Sequence, residues 1–415
     1  MEEFHFEGDF LTFQDHGDWL PCYEKDAQKL KVLSPLLVYR PYSLENISAF
    51  IRACASKKVP VRVRCGGTSL SASSVPSEDG IVLLTSHCKN ILEYNSVSGR
   101  VWVEPGVTVS QLNHFVQEDG WEFPLEMATT GVAGLGGCLS CHAKGYLQNH
   151  FPMYNSMCTI VLIDGKGELL DAPWSLICGS EGIFGVIIRM EIQLSRRIKK
   201  KLFLSSCMMF EELMEYLPMI KQHQSLKSIV WNEKDFFFGF EGEEWRLEPA
   251  VEALKNLMKP HQMEVTEKID SSFRFTGKKM SIHLSGALPL RALINGIACM
   301  ERLAEEMGFE SQMSSEVFSG SLQVCLSSSD DLLRFQGKLE KLMVAWIEFL
   351  QSHASFPIGS HGIGKLWNNY MTPFINEENL IFLRDLQKTF DPCQIYSQGH
   401  FFPEQGKCLI RMAHE

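Results

Sequence analysis

The sequence has no run of about eighteen consecutive apolar residues, which leaves no candidate for a membrane-spanning helix. It has no surplus of positive charge either. Lys+Arg 39 against Asp+Glu 50 gives a net charge of −11, and the one concentrated basic run is Arg196-Arg197-Ile198-Lys199-Lys200-Lys201, so nucleic acid is not expected as a partner. The thirteen cysteines show no framework spacing, and a chain of 415 residues does not need disulfides to be stable. Reduced thiols in a cytoplasmic compartment are the expectation, with peripheral attachment to the inner membrane face left open. The start, Met1-Glu2-Glu3-Phe4-His5, is acidic where a secretory signal is basic and then apolar. Also missing is G-x-G-x-x-G directly after an N-terminal strand, the mark of the common parallel dinucleotide fold. Gly131-Val132-Ala133-Gly134-Leu135-Gly136 has the wrong order for it.

With 45% hydrophobic residues the chain can bury a sizeable core, and its length fits two domains. Residues 1–34 are polar and aromatic without clear periodicity and read as an N-terminal arm. Leu36-Leu37-Val38-Tyr39 is a short strand. Ser43 caps a helix with Leu44, Ile47, Phe50, Ile51 and Cys54 on one face, and Val59-Pro60 ends it before the strand Val61-Arg62-Val63-Arg64. Strands follow at Ile81–Leu84 and Arg100–Val103, then a helix over Val109–Gln117. A hairpin joins Thr159–Ile163 to Glu168–Leu170 through Asp164-Gly165, and a further strand begins at Val186. From Leu202 to about Gln351 two successive strand-helix-strand-strand-helix units predict one antiparallel sheet backed by helices, a cap built of ferredoxin-like units. The tail from Phe356 returns to glycine-rich loops, with a helix near Asn379–Lys388.

Three glycine stretches, 64–71, 129–137 and 179–185, each adjoin a strand and together are suited to one elongated cofactor. In Arg64-Cys65-Gly66-Gly67-Thr68-Ser69-Leu70, a strand runs into bare backbone N–H donors and small side chains. That pattern suits a diphosphate, although paired glycines after a strand also serve as plain turns.

The order of these parts resembles the flavin-binding domain of the vanillyl-alcohol oxidase and p-cresol methylhydroxylase superfamily. The matching features are Pro41 with its following helix, the Arg64–Ser69 loop, Glu104-Pro105-Gly106-Val107, Leu135-Gly136-Gly137 and Gly179-Ser180-Glu181-Gly182-Ile183-Phe184-Gly185-Val186-Ile187. The tail, His361-Gly362-Ile363-Gly364-Lys365 with Phe390-Asp391-Pro392, resembles the branch of D-lactate dehydrogenases, glycolate oxidase subunits and alkylglycerone-phosphate synthase. The resemblance implies an α+β fold. A two-part FAD-binding domain (35–198 and the returning segment 356–415) would carry an inserted cap (199–355) behind the arm (1–34).

FAD is the implied cofactor. The loop Arg64–Leu70 would hold its diphosphate. Thr129, Thr130, Gly134, Gly136, Gly137 and Cys138 would run along diphosphate and flavin, and Gly182, Gly185, Val186 and Ile187 would meet the adenine side. Members that bond the flavin covalently through the first loop use a histidine where Thr68 stands, so FAD is expected to be non-covalent. The implied activity is oxidation of a hydroxyl-bearing small molecule, a 2-hydroxy acid or a sugar-like alcohol, by hydride transfer to flavin N5. The electron acceptor (O2, a quinone or a partner protein) stays open. The alternatives are a non-catalytic FAD-binding subunit of a larger complex and a non-redox flavoenzyme like the synthase.

His361, between glycine-rich segments, is the candidate general base. His142, just after the second glycine loop, resembles positions that line the flavin ring in sugar-oxidising relatives, and Lys365 and Arg64 are candidate cations near the flavin or an anionic substrate. Cys138-Leu139-Ser140-Cys141-His142 also fits a haem-attachment pattern, but small residues packed beside the flavin explain it better. Two departures from the branch count against metal-assisted oxidation of a small 2-hydroxy acid. Ser360 replaces the acid before the tail histidine, and Ser314–Ser321 contains no histidine where the branch carries metal ligands. His283 alternates with Ile282 and Leu284 and points opposite to them, towards the pocket or in a purely structural place.

Overall fold

The computed structural model describes residues 7–27, 34–77, 79–145, 156–197, 200–233, 235–266, 280–358, 361–396 and 402. The three expected strands lie in one sheet as Leu37–Pro41, which runs on through Arg40-Pro41 instead of stopping at Tyr39, Val61–Arg64 and Ile81–Leu84, with Ile81–Leu84 parallel to and between the other two. The helix Leu44–Lys57 connects them. The Ser43 side chain accepts from Asn46 N at 3.3 Å, and Lys58, in the left-handed region at φ 54°, ends it. Its buried face of Ile47, Phe50, Ile51 and Cys54 packs on Tyr39, Leu83, Ile188 and Tyr396. Each such side chain contributes about 1.5–3 kcal/mol by leaving water. The fourth strand, Gly8–Thr12, pairs antiparallel with Leu37–Pro41 and comes from the arm. No periodic signal marked it, because five half-buried residues at a sheet edge need no alternation.

A second sheet, in the order Ile91–Asn95, Arg100–Val103, Val186–Gln193, Met157–Ile163, Leu169–Ala172, is antiparallel throughout. Its last two strands form the expected hairpin, and Asp164 Oδ1 closes the turn by accepting from Lys166 N and Glu168 N, both at 2.9 Å.

The cap is a seven-stranded sheet in the order Glu264–Thr266, Lys200–Cys207, Asp235–Gly242, Leu226–Asn232, Glu310–Glu316, Ser321–Ser328, Met280–Ala287. All its pairings are antiparallel, and the two units join where Val230 stands opposite Glu316. Helices Phe210–Ile220, Glu244–Leu257, Leu290–Met307 and Leu332–Ser352 supply the rest of its core, with Trp346 the largest fully buried side chain among them.

The tail packs into the cores beside these three sheets. Ile363, Leu366 and Trp367 enter the cap core, while Leu386 and Phe390 pack on the second sheet. Ile395 and Tyr396 enter the core between the first sheet and the helix Leu44–Lys57, where Ile395 O accepts from Val61 N at 2.8 Å.

Candidate functional site

The glycine stretches converge on one cavity of about 460 Å³, within the usual size of ligand pockets. Cys65, Gly66, Gly67, Thr68, Ser69 and Leu70 line it from the end of Val61–Arg64. Among the described residues the main-chain N–H groups of Gly67, Thr68, Ser69 and Leu70 make no hydrogen bond. A run of unpaired amides beside a cavity is an anion cradle, and Gly67 at φ +64° is what lets the chain curl there.

The second stretch forms the facing wall with Thr129, Gly134, Gly136, Gly137 and Cys138. It is not all loop, as its glycines suggest: Gly134 caps a short helix, Leu135–Ser140. A Cβ on Gly136 would sit 2.5 Å from Pro105 Cβ, so tertiary contact outweighs the low helix propensity of glycine. A Cβ on Gly134 would strike Cys65 Sγ and lie 2.7 Å from Pro105 O, whereas one on Gly131 would meet nothing within 4 Å. Gly134→Ala is therefore expected to destabilise by about 1–3 kcal/mol and Gly131→Ala by under about 1 kcal/mol. Urea melts of the two variants check the difference.

The third stretch brings Gly182, Gly185 and Ile187 to the cavity. Val186 alternates away into the core at 0% exposure, and Thr130 is occupied in a turn, its N donating to Met127 O.

Arg64, Lys365 and His142 are not where their motifs suggested. The Arg64 guanidinium lies behind the loop, donating to Lys25 O at 2.7 Å and Cys22 O at 3.2 Å, so it ties the N-terminal arm to the loop. Lys365 is buried, and its Nζ donates to Pro76 O at 2.6 Å. His142, at φ 48°, falls outside the lining, and its neighbour Cys141 lines the cavity instead. Burial pushes the Cys138 thiol up to about 12 and the Cys141 thiol well above its usual value. Both are inert thiols.

His361 does line the cavity, and so does His283 from the cap strand Met280–Ala287. Burial holds each imidazole down to about 4, and for His361 the neighbouring His283 adds to the effect. Among the described residues His361 Nε2 has no hydrogen-bond partner.

Glu181 and Arg62 were missed as individuals. Glu181 sits inside the motif Gly179–Gly185 that was valued for its backbone, yet its buried carboxylate accepts from Ile363 N at 2.7 Å, Gly364 N at 3.1 Å and Ser73 Oγ at 3.0 Å. Burial raises its pKa, and those hydrogen bonds and Arg62 pull it back. Arg62 shares a strand face with Arg64, and burial lowers it to about 10 against the pull of Glu181 and Cys141. A single acid in a glycine run and a second arginine in an apolar strand were the available signals.

Comparison with known proteins agrees with this geometry. Residues 35–172 match the model of the FAD binding domain. D-2-hydroxyglutarate dehydrogenase of Stutzerimonas stutzeri is 28% identical over 194 residues, 44% of this chain and 42% of that protein, so the chain matches less than half of that relative's length. Glycolate oxidase subunit GlcD of Escherichia coli is 22% identical over 93% of this chain and 87% of its own length. The solved structure of p-cresol methylhydroxylase with substrate bound superposes with a TM-score of 0.76 at 11% identity, covering 96% of this chain and 95% of that one. Alkyldihydroxyacetonephosphate synthase superposes with a TM-score of 0.69 at 11% identity, covering 90% and 76%. The unpaired amides and glycine walls fit a dinucleotide, residues 35–172 match an FAD binding domain, and the chain has the fold of p-cresol methylhydroxylase.

Proposed function

We propose that the protein oxidises a hydroxyl-bearing small molecule at FAD held without a covalent bond, with His361 as the general base. When bound, FAD supplies the acceptor for the hydride that leaves the carbinol carbon. His361 supports this reading: a neutral imidazole with an unengaged Nε2 in the cavity can take the hydroxyl proton as the carbonyl forms. Gly67–Leu70 would receive the diphosphate on their amides, and Thr68 offers no ring nitrogen for attachment to flavin. In this scheme residues 35–198 and 356–415 carry the cofactor, 199–355 cover the substrate, and 1–34 brace the diphosphate loop through Arg64. The cysteines among the described residues are all unpaired, in keeping with a reducing, cytoplasmic setting.

The purified protein is expected to be yellow and to release its FAD into the supernatant on acid precipitation. Anaerobic addition of a substrate from a panel of hydroxy acids and polyols should bleach the flavin band at about 450 nm. A colourless preparation that takes up no FAD would sink the scheme. A yellow one that no compound bleaches would instead favour a cofactor-bearing subunit without turnover.

A further inference from the structure

The N-terminal arm reaches the cavity as well as the first sheet. Leu20, 1% exposed, packs on Val38, Val82 and Leu84, and Ala27 lines the cavity beside Gly66 and Gly67. From Cys22 to Ala27 the arm is tied to the first glycine loop through its main chain. Arg64 Nη1 donates to Lys25 O at 2.7 Å and to Ser74 O at 3.5 Å, Arg64 Nη2 donates to Cys22 O at 3.2 Å, and Ala27 N donates to Gly67 O at 3.1 Å. The Tyr23 ring centroid lies 5.6 Å from Arg64 Cζ, and the buried Asp26 carboxylate acts on the same guanidinium.

These ties shape the loop. A Cβ on Gly67 would sit 2.3 Å from Arg64 Nη2 and 2.7 Å from its Cζ, so this glycine makes room for the guanidinium as well as for the turn at φ +64°. A trans peptide sets its N–H opposite its carbonyl. Pinning Gly67 O to the arm therefore turns the N–H of Thr68 away from the arm, and that N–H is one of the free amides beside the cavity. The arm thus helps to hold the cradle in its anion-binding shape.

The same stretch has little to keep it closed on its own. Cys22, Lys25 and Ala27 are exposed, Tyr23 is half-buried, and no apolar side chain after Leu20 is buried before the first sheet's loop is met at Ala27. A segment with few buried apolar contacts opens at a lower free energy than the core. The strands behind it are of the other kind, with Val61, Ile81, Val82 and Leu83 at 2% exposure or less.

We propose, resting on the placement of the FAD diphosphate at Gly67–Leu70, that residues 21–27 are a strap over the cofactor, clasped by Arg64 and Ala27, and that FAD leaves only when the strap opens. The arm is then part of the cofactor site. Arg64 is a positioning residue, which shapes the cradle from behind and holds the strap shut.

The test uses the FAD-loaded protein and needs no substrate. Release is read as the rise of free-flavin fluorescence after dilution, and strap opening as hydrogen exchange at the Ala27 amide. Arg64→Met should release FAD at least about tenfold faster, as for the loss of charge-assisted hydrogen bonds. It should speed exchange at Ala27 by a similar factor and leave exchange in Ile81–Leu84 unchanged, a contrast that a merely structural role would not produce. Arg64→Lys, which keeps a cation but not the planar fork, should fall between the two. Release at the parental rate overturns the strap, and so does faster release with unchanged exchange at Ala27. Exchange that accelerates equally in Ile81–Leu84 means general loosening and also overturns it. If Arg64→Met does not accumulate as folded protein, the parent decides the matter: filling the site with added FAD should slow exchange at Ala27, and an Ala27 amide indifferent to FAD overturns the proposal. A protein that takes up no FAD sinks the cofactor placement and the strap with it, whereas FAD released from Arg64→Met at the parental rate sinks the strap alone.

Discussion

His361→Ala is expected to slow substrate reduction of the flavin by about 10²- to 10⁴-fold, the range for loss of a positioned general base, which is about 2.7–5.5 kcal/mol of barrier. FAD should stay bound, because the diphosphate loop is a separate set of backbone amides. The loop carrying His361 is held at its main chain, where Ser71 Oγ donates to His361 O at 2.9 Å, so removing the imidazole leaves the loop anchored. The pH profile provides a second signature. Because burial and His283 hold His361 at about 4, the base is neutral and competent from about pH 5 upward. The rate should be flat between about pH 5.5 and 8 and fall only as the pH drops towards 4, whereas an exposed histidine would already lose half its rate near pH 6.5.

Linkage carries the same sign into stability. Between pH 6.5 and about 4 the native state binds fewer protons at His361 and His283 than the unfolded chain does. The contribution of the pair is therefore fully present above pH 6.5 and is lost as pH falls through that window. His361→Ala should flatten the acid limb of the melting-temperature curve. A bleaching rate unchanged in His361→Ala, measured by anaerobic stopped flow, would remove the residue from the chemistry.

Glu181→Ala is expected to cost about 3–5 kcal/mol, larger than a typical substitution. It leaves the N–H groups of Ile363 and Gly364 and the Ser73 hydroxyl without their acceptor, at about 1–3 kcal/mol for each buried unsatisfied group. It also strips Arg62 of the carboxylate that offsets its burial. These bonds begin two residues after His361 and join the tail to the strand-end loop, so the variant should also loosen the general base. Glu181→Gln keeps an acceptor oxygen and should lose less, about 1–2 kcal/mol. Urea denaturation of the FAD-loaded protein separates the two variants. A Glu181→Ala midpoint within error of the parent would show that the clamp contributes nothing.

Most secondary structure was legible because its causes are local. The helix Leu44–Lys57 announces itself by Ser43 and by apolar residues at helical spacing, and the cap strands by alternation around Ile282-His283-Leu284. Where the cause lies in another part of the chain, the reading failed. The helix Leu135–Ser140 forms through glycines because Pro105 lies against it, and Arg64 turns from the cavity because the carbonyls of Lys25 and Cys22 wait behind the loop. Lys365 looked like a substrate cation in its motif until Pro76 O claimed its ammonium.

The sequence by itself therefore determined the bare amides of the first glycine loop, the two repeated cap units and the imidazole at position 361, since each depends on residue type and near neighbours. Tertiary structure alone decided which side chains share the cavity. It brought His283 to His361 across 78 positions of chain, laid Glu181 under the tail, and buried a hydroxyl-rich sheet face. Pattern sets which face of a strand a residue occupies, but what that face meets depends on contacts made only when distant segments pack.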